Sequence, residues 1–261
     1  MARVNNTTTG TPGASRVRMF RIFPILVTAL IFCSLQTPPD PEAVSLTGAW
    51  GSESGSQRMT RIFTEKYFSL AAHNPSGNEF IGTAGGSWRI EGTDLVEMFE
   101  FNTWDPELVG KEIRTPVEIR GSKMTIADGN EKQAWTRIDD GTPGELAGAW
   151  LITGRYRDGA IQRRTPGVRK TMKILSGKHF QWIAYNTETR EFSGTGGGTY
   201  TTTNGKYTEN IQFFSRDKSR VGASLQFDFS LEDGEWRHKG LSSRGEPIDE
   251  VWTRRERMEG E

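Results

Sequence analysis

Hydrophobic and polar positions alternate along most of the chain in short runs, which is typical of β-strands that bury one face. The runs are rich in β-branched and aromatic residues, and turns containing glycine separate them about every ten residues. No long amphipathic helix interrupts the series. In the second half of the chain the pattern predicts strands over residues 149–153, 170–176, 178–186, 194–202, 206–215, 222–231, 235–241 and 248–254. The sequence therefore predicts an all-β protein.

Two turns in the second half favour tight hairpins. Asn204-Gly205 and Asp233-Gly234 combine residues that tolerate the positive φ angles of such turns. Consecutive strands should therefore be antiparallel neighbours. Eight such strands favour an up-and-down barrel, because closure removes exposed strand edges and leaves room for one small ligand. A β-sandwich is the alternative.

The same plan occurs twice along the chain. Residues 82–88 (Gly-Thr-Ala-Gly-Gly-Ser-Trp) and 194–200 (Gly-Thr-Gly-Gly-Gly-Thr-Tyr) are copies of one segment, 112 positions apart. Each unit opens on a Gly-Ala-Trp sequence that ends at Trp50 or Trp150, and each closes on Trp-Thr-Arg. The repeats predict two tandem eight-stranded antiparallel barrels. The predicted division is an N-terminal extension with a signal or anchor segment and spacer at 1–45, barrel 1 at 46–140 and barrel 2 at 141–261.

The N-terminal region has the pattern of an export signal. Met19-Phe20-Arg21 precedes a short apolar run at residues 22–35, as in a secretory signal. We therefore expect an exported protein that is periplasmic, secreted or associated with the envelope. Cleavage, retention as an anchor and lipidation at Cys33 remain alternatives, and both Met1 and Met19 are candidate starts. Membrane contact is expected only through this segment.

Composition narrows the possible partners. Lys plus Arg and Asp plus Glu number 33 each, but residues 1–34 hold four arginines and no acid. Without those four, 29 basic residues face 33 acidic ones, which argues against general nucleic-acid binding. The only cysteine is Cys33, and the three histidines show no metal-ligand spacing. We expect no metal, no cofactor and a small-molecule partner.

Each glycine-rich copy leads into a strand that carries an acid among apolar residues. Alternation places Glu209 on one face with Tyr207, Ile211 and Phe213, and it places Glu97 on one face with Leu95, Phe99 and Phe101. A carboxylate inside a barrel is costly unless it is paired or hydrogen-bonded. Three interpretations remain: an ion pair with an inward Arg or Lys, a polar contact for a ligand, and a general base.

The glycine-rich copies themselves do not indicate nucleotide binding. They lack the Lys-Ser/Thr ending of a phosphate loop, and a strand follows where nucleotide motifs require a helix. Glycines within a strand mark bends, bulges or close backbone approaches. A ligand lying on bare backbone is the alternative interpretation.

Several segments resemble a known family. They are residues 178–186 (Lys-His-Phe-Gln-Trp-Ile-Ala-Tyr-Asn), 192–200, 207–209 (Tyr-Thr-Glu) and 249–252 (Asp-Glu-Val-Trp). Together they resemble the bacterial lipocalin-like domain family of unknown function, whose members are described only as membrane or secreted proteins. The resemblance covers both units and is strongest in the second. It implies a calycin-type barrel and export, and it implies no established activity or catalytic residue.

The leading functional hypothesis is a binding protein whose second barrel holds a small, partly apolar ligand. The predicted ligand-binding residues are Trp182, Tyr207, Glu209, Phe213, Phe227, Arg164 and, in the first barrel, Glu97. Arg164 belongs to a basic insertion of about twelve residues that follows the first strand of the second unit, either a solvated loop or a lid at the barrel mouth. One alternative is an enzyme in which Glu209 acts as acid or base beside Arg164. Another is a structural or interaction module of the envelope.

Overall fold

The computed structural model describes residues 45–129, 131–142 and 144–258. The predicted signal segment and Cys33 lie outside this part of the chain. The strands of the first unit are β1 Gly48–Ser54, β2 Gln57–Phe63, β3 Tyr67–Asn74, β4 Glu79–Glu91, β5 Asp94–Asn102, β6 Glu112–Arg120, β7 Lys123–Asp128 and β8 Glu131–Asp139. Those of the second unit are β9 Gly148–Arg157, β10 Ala160–Arg163, β11 Arg169–Leu175, β12 His179–Asn186, β13 Phe192–Thr203, β14 Lys206–Phe214, β15 Ser224–Glu232, β16 Glu235–Leu241 and β17 Pro247–Arg254. Short 3-10 helices span Pro75–Gly77, Pro106–Leu108, Lys218–Arg220 and Arg255–Arg257.

Each unit closes into an antiparallel barrel of eight strands in chain order. In the first unit β1 pairs with β2 and also with β8, where Ala49 lies opposite Asp139. In the second unit β9 pairs with β11 and also with β17, where Ile152 lies opposite Trp252. The turns at Asn204-Gly205 and Asp233-Gly234 have the positive φ angles expected of tight hairpins. The predicted pair of up-and-down barrels is confirmed. Over the described residues, no helix is long and apolar enough to cross a membrane.

The basic insertion forms a hairpin as well as a loop. Strand β9 continues to Arg157, turns at Asp158-Gly159 with φ angles of 51° and 78°, and returns as β10 along its own edge. After residues 164–168, β11 pairs with the same edge of β9 nearer its start. The Asp-Gly turn explains the hairpin, which the basic composition of the segment concealed. The extension carries Arg155 to one end of the second barrel.

The glycine-rich segments lie opposite bulges in the neighbouring strands. Gly197 lies opposite Phe213 and Gly198 lies opposite Ile211, so β14 has one extra residue at this point. A Cβ on Gly197 would lie 2.5 Å from the Phe213 ring and 2.6 Å from the Phe180 carbonyl oxygen. The register of β4 and β5 shifts in the same way at Gly85 and Gly86 of the first barrel. The structural interpretation of the glycines is confirmed.

The bulge overturns one sequence-based prediction. The extra residue in β14 reverses the alternation, so Phe213 faces outward and Phe214 faces the barrel interior. Phe213 instead stacks on His73 of the first barrel, with ring centroids 5.3 Å apart. Phe101 moves to the outer face of the first barrel for the same reason and packs against Tyr185. Strict alternation was therefore wrong beyond Ile211.

One end of each barrel is closed by a tryptophan and an arginine. The buried indole of Trp150 donates from Nε1 to the Leu146 carbonyl at 2.9 Å, and the Arg254 guanidinium lies 4.4 Å above the indole. Trp50 and Arg137 repeat the arrangement in the first barrel at 4.2 Å. Because both barrels have it, this closure belongs to the shared scaffold.

The outer faces of the two barrels pack against each other. Their shared apolar cluster contains Ala49, Ile62, Tyr67, Phe101, Ala149, Leu151, Met172, Ile174, Ile183 and Tyr185. Beside it, Glu100 accepts from Tyr185 Oη at 2.5 Å and from Lys170 Nζ at 3.1 Å, and it also pairs with Arg255. Burial alone would raise the pKa of Glu100, but Arg255 and Lys170 outweigh it and lower the pKa to about 2. The carboxylate therefore links the barrels in its charged form.

The linker end of β8 makes a second junction between the barrels. The Asp139 carboxylate accepts from Ser176 Oγ at 2.6 Å, from Gly177 N at 3.1 Å and from Lys178 N at 2.5 Å. His179 Nδ1 lies 3.2 Å from the same carboxylate. Burial would raise the pKa of Asp139, but these hydrogen bonds hold it well below its usual range. This aspartate fixes the turn between β11 and β12 onto the end of the first barrel.

Candidate functional site

The second barrel contains a cavity of about 400 Å³. It opens at the end opposite the Trp150 and Arg254 closure, where β9 ends and β17 begins. A volume of this size suits a small organic ligand. The residues that line it are Ile152, Arg155, Thr171, Lys173, Trp182, Glu209, Ile211, Phe214, Arg216, Leu225, Phe227, His238, Ser242, Ser243, Arg244, Glu246, Pro247, Ile248, Glu250 and Trp252.

One part of the cavity wall is apolar. Trp182 of β12 is half-buried, and its indole meets the Phe214 ring edge to face, with centroids 5.5 Å apart. Ile211, Leu225 and Phe227 continue this surface on β14 and β15. Strand alternation presents Trp182, Ile211, Leu225 and Phe227 to the interior, and the bulge in β14 brings Phe214 to the same side. The wall can bury the apolar part of a ligand.

A buried ion pair lies deeper in the barrel. Lys173 Nζ is 2.7 Å from Glu209 Oε1, and the Tyr207 hydroxyl donates to the same oxygen at 2.9 Å. Lys173 and Glu209 are only 5% and 4% exposed. The Lys173 ammonium also lies 5.0 Å from the Trp236 ring centroid and 5.4 Å from that of Trp252, within range of cation–π attraction. Glu209 therefore has the inward basic partner that one of the sequence-based interpretations required.

A second polar group lies between this pair and the mouth. Glu250 Oε1 is 3.1 Å from Arg155, and Glu250 Oε2 is 3.5 Å from His238 Nδ1. Burial, followed by the Lys173 charge, lowers the pKa of His238 to about 4 in spite of the nearby carboxylates. Burial would raise the pKa of Glu250, but His238, Lys173 and Arg155 together lower it. At neutral pH the cavity therefore contains a neutral imidazole beside a charged carboxylate.

Several buried polar atoms of residues that line the cavity lack a hydrogen-bond partner. Neither ring nitrogen of His238 has one among the described residues, and neither does Nε1 of Trp252. Both side chains are 2% exposed. A buried polar group left unpaired costs about 1–3 kcal/mol. Groups of this kind on a cavity wall are suited to bind a ligand.

The equivalent interior of the first barrel is filled differently. Arg61 and Glu97 occupy the positions of Lys173 and Glu209, 3.2 Å apart. Burial raises the pKa of Glu97, with Arg61 opposing the shift. At the wall positions Met59 replaces Thr171, Leu70 replaces Trp182, Phe99 replaces Ile211, Ile126 replaces His238 and Gln133 replaces Glu250. Met59, Leu70, Phe99 and Ile126 all belong to or pack against the first barrel's core cluster.

The structure brings some of the predicted site residues together. Trp182, Phe227 and Glu209 line the cavity. Tyr207 is fully buried behind Glu209 and reaches it through its hydroxyl. Glu97 occupies the corresponding place in the first barrel. These side chains share an interior because alternation holds along the strand segments that carry them.

Two of the predicted site residues lie elsewhere. Phe213 faces the first barrel because of the bulge described above. Arg164 is exposed beside β9, and its Nε donates to the Ile152 carbonyl at 3.2 Å. The insertion contributes Arg155 to the cavity in its place, because β9 has one extra residue, Thr153, opposite the step from Val251 to Trp252, and this bulge turns Arg155 to the face that Ile152 occupies.

Sequence reasoning missed Lys173, His238, Glu250 and Arg155. Lys173 and Arg61 stand 112 positions apart, the same offset as Glu209 and Glu97, so the repeat itself signalled the ion pair. His238 lies two residues after Trp236, and Glu250 lies two residues before Trp252. Alternation from Trp236 and Trp252 would have placed both side chains inside.

The described residues contain no group of three or more His, Cys, Asp or Glu side chains arranged to hold a metal ion. The cavity instead offers buried hydrogen-bonding groups beside an apolar wall. A closed barrel of this kind is compatible with ligand binding. No protein-family model matches the sequence, and a search of curated proteins finds no similar one. The functional conclusion therefore depends on the cavity itself.

Proposed function

We propose that the protein is an exported, non-enzymatic binding protein that holds a small, partly apolar molecule in its second barrel. The observation that carries the proposal is the cavity of about 400 Å³, lined by aromatic rings and by buried polar groups. The secretory pattern at the N-terminus and the resemblance to the lipocalin-like family support the expectation of export.

The energetics of the wall favour occupancy by a ligand. Each Å² of apolar surface that a ligand covers, such as that of Trp182 and Phe227, contributes about 25 cal/mol of favourable free energy to binding. The unpaired nitrogens of His238 and Trp252 gain hydrogen-bond partners from a ligand with a polar group. Both terms act in the same direction.

The alternatives receive less support. An enzyme that uses Glu209 and Arg164 needs both side chains in one cavity, whereas Arg164 lies outside it and Glu209 is paired with Lys173. A purely structural module would need both barrels filled by side chains, whereas the second contains the cavity. We therefore place binding first.

Binding is tested with an uncharged fluorescent probe, N-phenyl-1-naphthylamine, added to the full chain. We expect saturable enhancement of its fluorescence. Thr171→Met copies Met59 of the first barrel into the cavity wall and should weaken binding about tenfold or more, because it fills space that the probe needs. Thr208→Met makes the same change on the outer face of β14, outside the cavity, and should leave binding unchanged. The absence of saturable binding by the unaltered protein would refute the proposal, and equal effects of the two variants would place the probe elsewhere.

A further inference from the structure

We infer that the second barrel selects uncharged amphiphiles, in which a hydroxyl or carbonyl group meets His238 and Trp252 and an apolar body lies against Trp182. This inference rests on the proposed function and names the class of ligand. It follows from the charge balance of the cavity and from the hydrogen-bonding groups left unpaired on its wall.

The charges inside the cavity are already balanced. Lys173 has the Glu209 carboxylate at 2.7 Å, and Arg155 has the Glu250 carboxylate at 3.1 Å. A ligand carboxylate or ammonium would add a charge with no remaining counter-charge among these four groups. Because a buried charge is costly unless it is paired, a charged head group is disfavoured there.

The unpaired groups are those that a neutral ligand can satisfy. Burial keeps His238 neutral at physiological pH, and the Glu250 carboxylate 3.5 Å from Nδ1 favours the N–H at that nitrogen, which leaves Nε2 as a bare acceptor. Trp252 offers a donor only. A hydroxyl group can donate to Nε2 of His238 and accept from Trp252, and a carbonyl oxygen can accept from Trp252. Hydroxyl and carbonyl groups can therefore hydrogen-bond to these side chains, whereas a purely apolar ligand would leave the nitrogens of His238 and Trp252 unpaired.

The charges at the mouth do not change this assignment. Arg244 has Glu246 at 3.3 Å, and both are exposed. Arg216 is also exposed, and it donates to the Ser193 carbonyl at 2.8 and 2.6 Å. Exposed charges are screened by water and contribute little. A tailed anion with its charge held outside beside Arg216 is the competing arrangement, and the experiment below distinguishes it.

The test compares octan-1-ol, octanoate and octylammonium, which share one alkyl chain and differ in head-group charge. Each is titrated calorimetrically into the full chain at about pH 7.5, where the acid and the amine are ionised. We expect octan-1-ol to bind about tenfold more tightly than either ion, because it adds no unpaired charge.

Variants that unbalance the cavity should change the order of affinities. Glu209→Gln leaves Lys173 without its counter-charge and should shift the preference about tenfold toward octanoate. Arg155→Met removes the counter-charge of Glu250 and should shift the preference toward octylammonium. Because Arg155 is half-exposed, this variant should fold even if Glu209→Gln does not. Glu97→Gln makes the matched change in the first barrel and should leave the order unchanged. Circular dichroism melts report whether each variant is folded.

The outcomes separate the two claims. Tighter binding of octanoate or octylammonium than of octan-1-ol by the unaltered protein overturns the inference and leaves the proposed function standing. Failure of octan-1-ol to bind a protein that does bind N-phenyl-1-naphthylamine also overturns the inference. If the fluorescent probe does not bind either, the proposed function fails and the inference fails with it.

Discussion

Replacing His238 with isoleucine, the residue at the equivalent position of the first barrel, should remove part of the protein's sensitivity to acid. The pKa of His238 is lowered from its usual 6.5 to about 4 by burial and by Lys173. Between those values the unfolded chain binds a proton that the folded protein excludes. The contribution of His238 to the free energy of unfolding is therefore fully present above pH 6.5, and it is lost as the pH drops toward 4. The difference between the two pKa values corresponds to about 3 kcal/mol.

The assay is urea unfolding of the full chain at several pH values between about 7.5 and 4, with and without His238→Ile. The variant has a constant offset from its altered packing, so the pH dependence of the difference reports His238 together with Glu250, whose pKa His238 lowers. The pKa of His73 is also lowered to about 4, by burial and by Arg58, but His73 is present in both proteins and cancels. We expect the unaltered protein to lose about 3 kcal/mol more than the variant across this range. A difference that stays constant with pH would refute the assignment of His238 as a buried neutral imidazole.

Three further substitutions test the scaffold. Lys173→Met leaves a buried carboxylate unpaired and should cost about 3–5 kcal/mol in urea unfolding, most of which the double variant with Glu209→Gln should restore; a cost below about 1 kcal/mol would argue against the pair. Gly197→Ala should cost about 3 kcal/mol because its Cβ meets a carbonyl oxygen at 2.6 Å, whereas Gly167→Ala, with open space around it, should be neutral; equal melting temperatures would contradict the bulge geometry. Glu100→Ala should split the calorimetric unfolding transition into two at neutral pH, since it removes an ionic link between the barrels; a single unchanged transition would count against that role.

The architecture was predictable because its determinants are local. Alternation and the Asn-Gly and Asp-Gly turns each act over a few residues, and the internal repeat shows the same local pattern twice, so all of them indicate the same closed barrel. The bulge was harder to foresee. Glycines at 197 and 198 signalled a bend, but its effect on Phe213 depends on which strand carries the extra residue, and only the pairing of β13 with β14 shows that.

The site was predictable only in part, because it combines distant strands. Glu209 and Trp182 could be identified from their own strands. His238, Glu250 and Arg155 belong to three other strands, and their proximity follows from the closure of β17 onto β9. The insertion drew attention to Arg164 by its charge, whereas the bulge of β9 against β17 brings Arg155 into the cavity.

Comparison of the two barrels distinguishes features that any barrel of this fold needs from features that could determine which ligand binds. The glycine bulges, the tryptophan and arginine closure and the inward pair of a base with an acid occur in both, so each is explained by the needs of a closed barrel. The differences lie around the cavity. Thr171 and Ile211 are smaller than Met59 and Phe99, Trp182 is larger than Leu70, and His238 and Glu250 are more polar than Ile126 and Gln133. The smaller residues open space and the polar ones place hydrogen-bonding groups beside it. In a duplicated protein of this kind, binding should be sought where the copies differ, and here the differences converge on the second barrel's cavity.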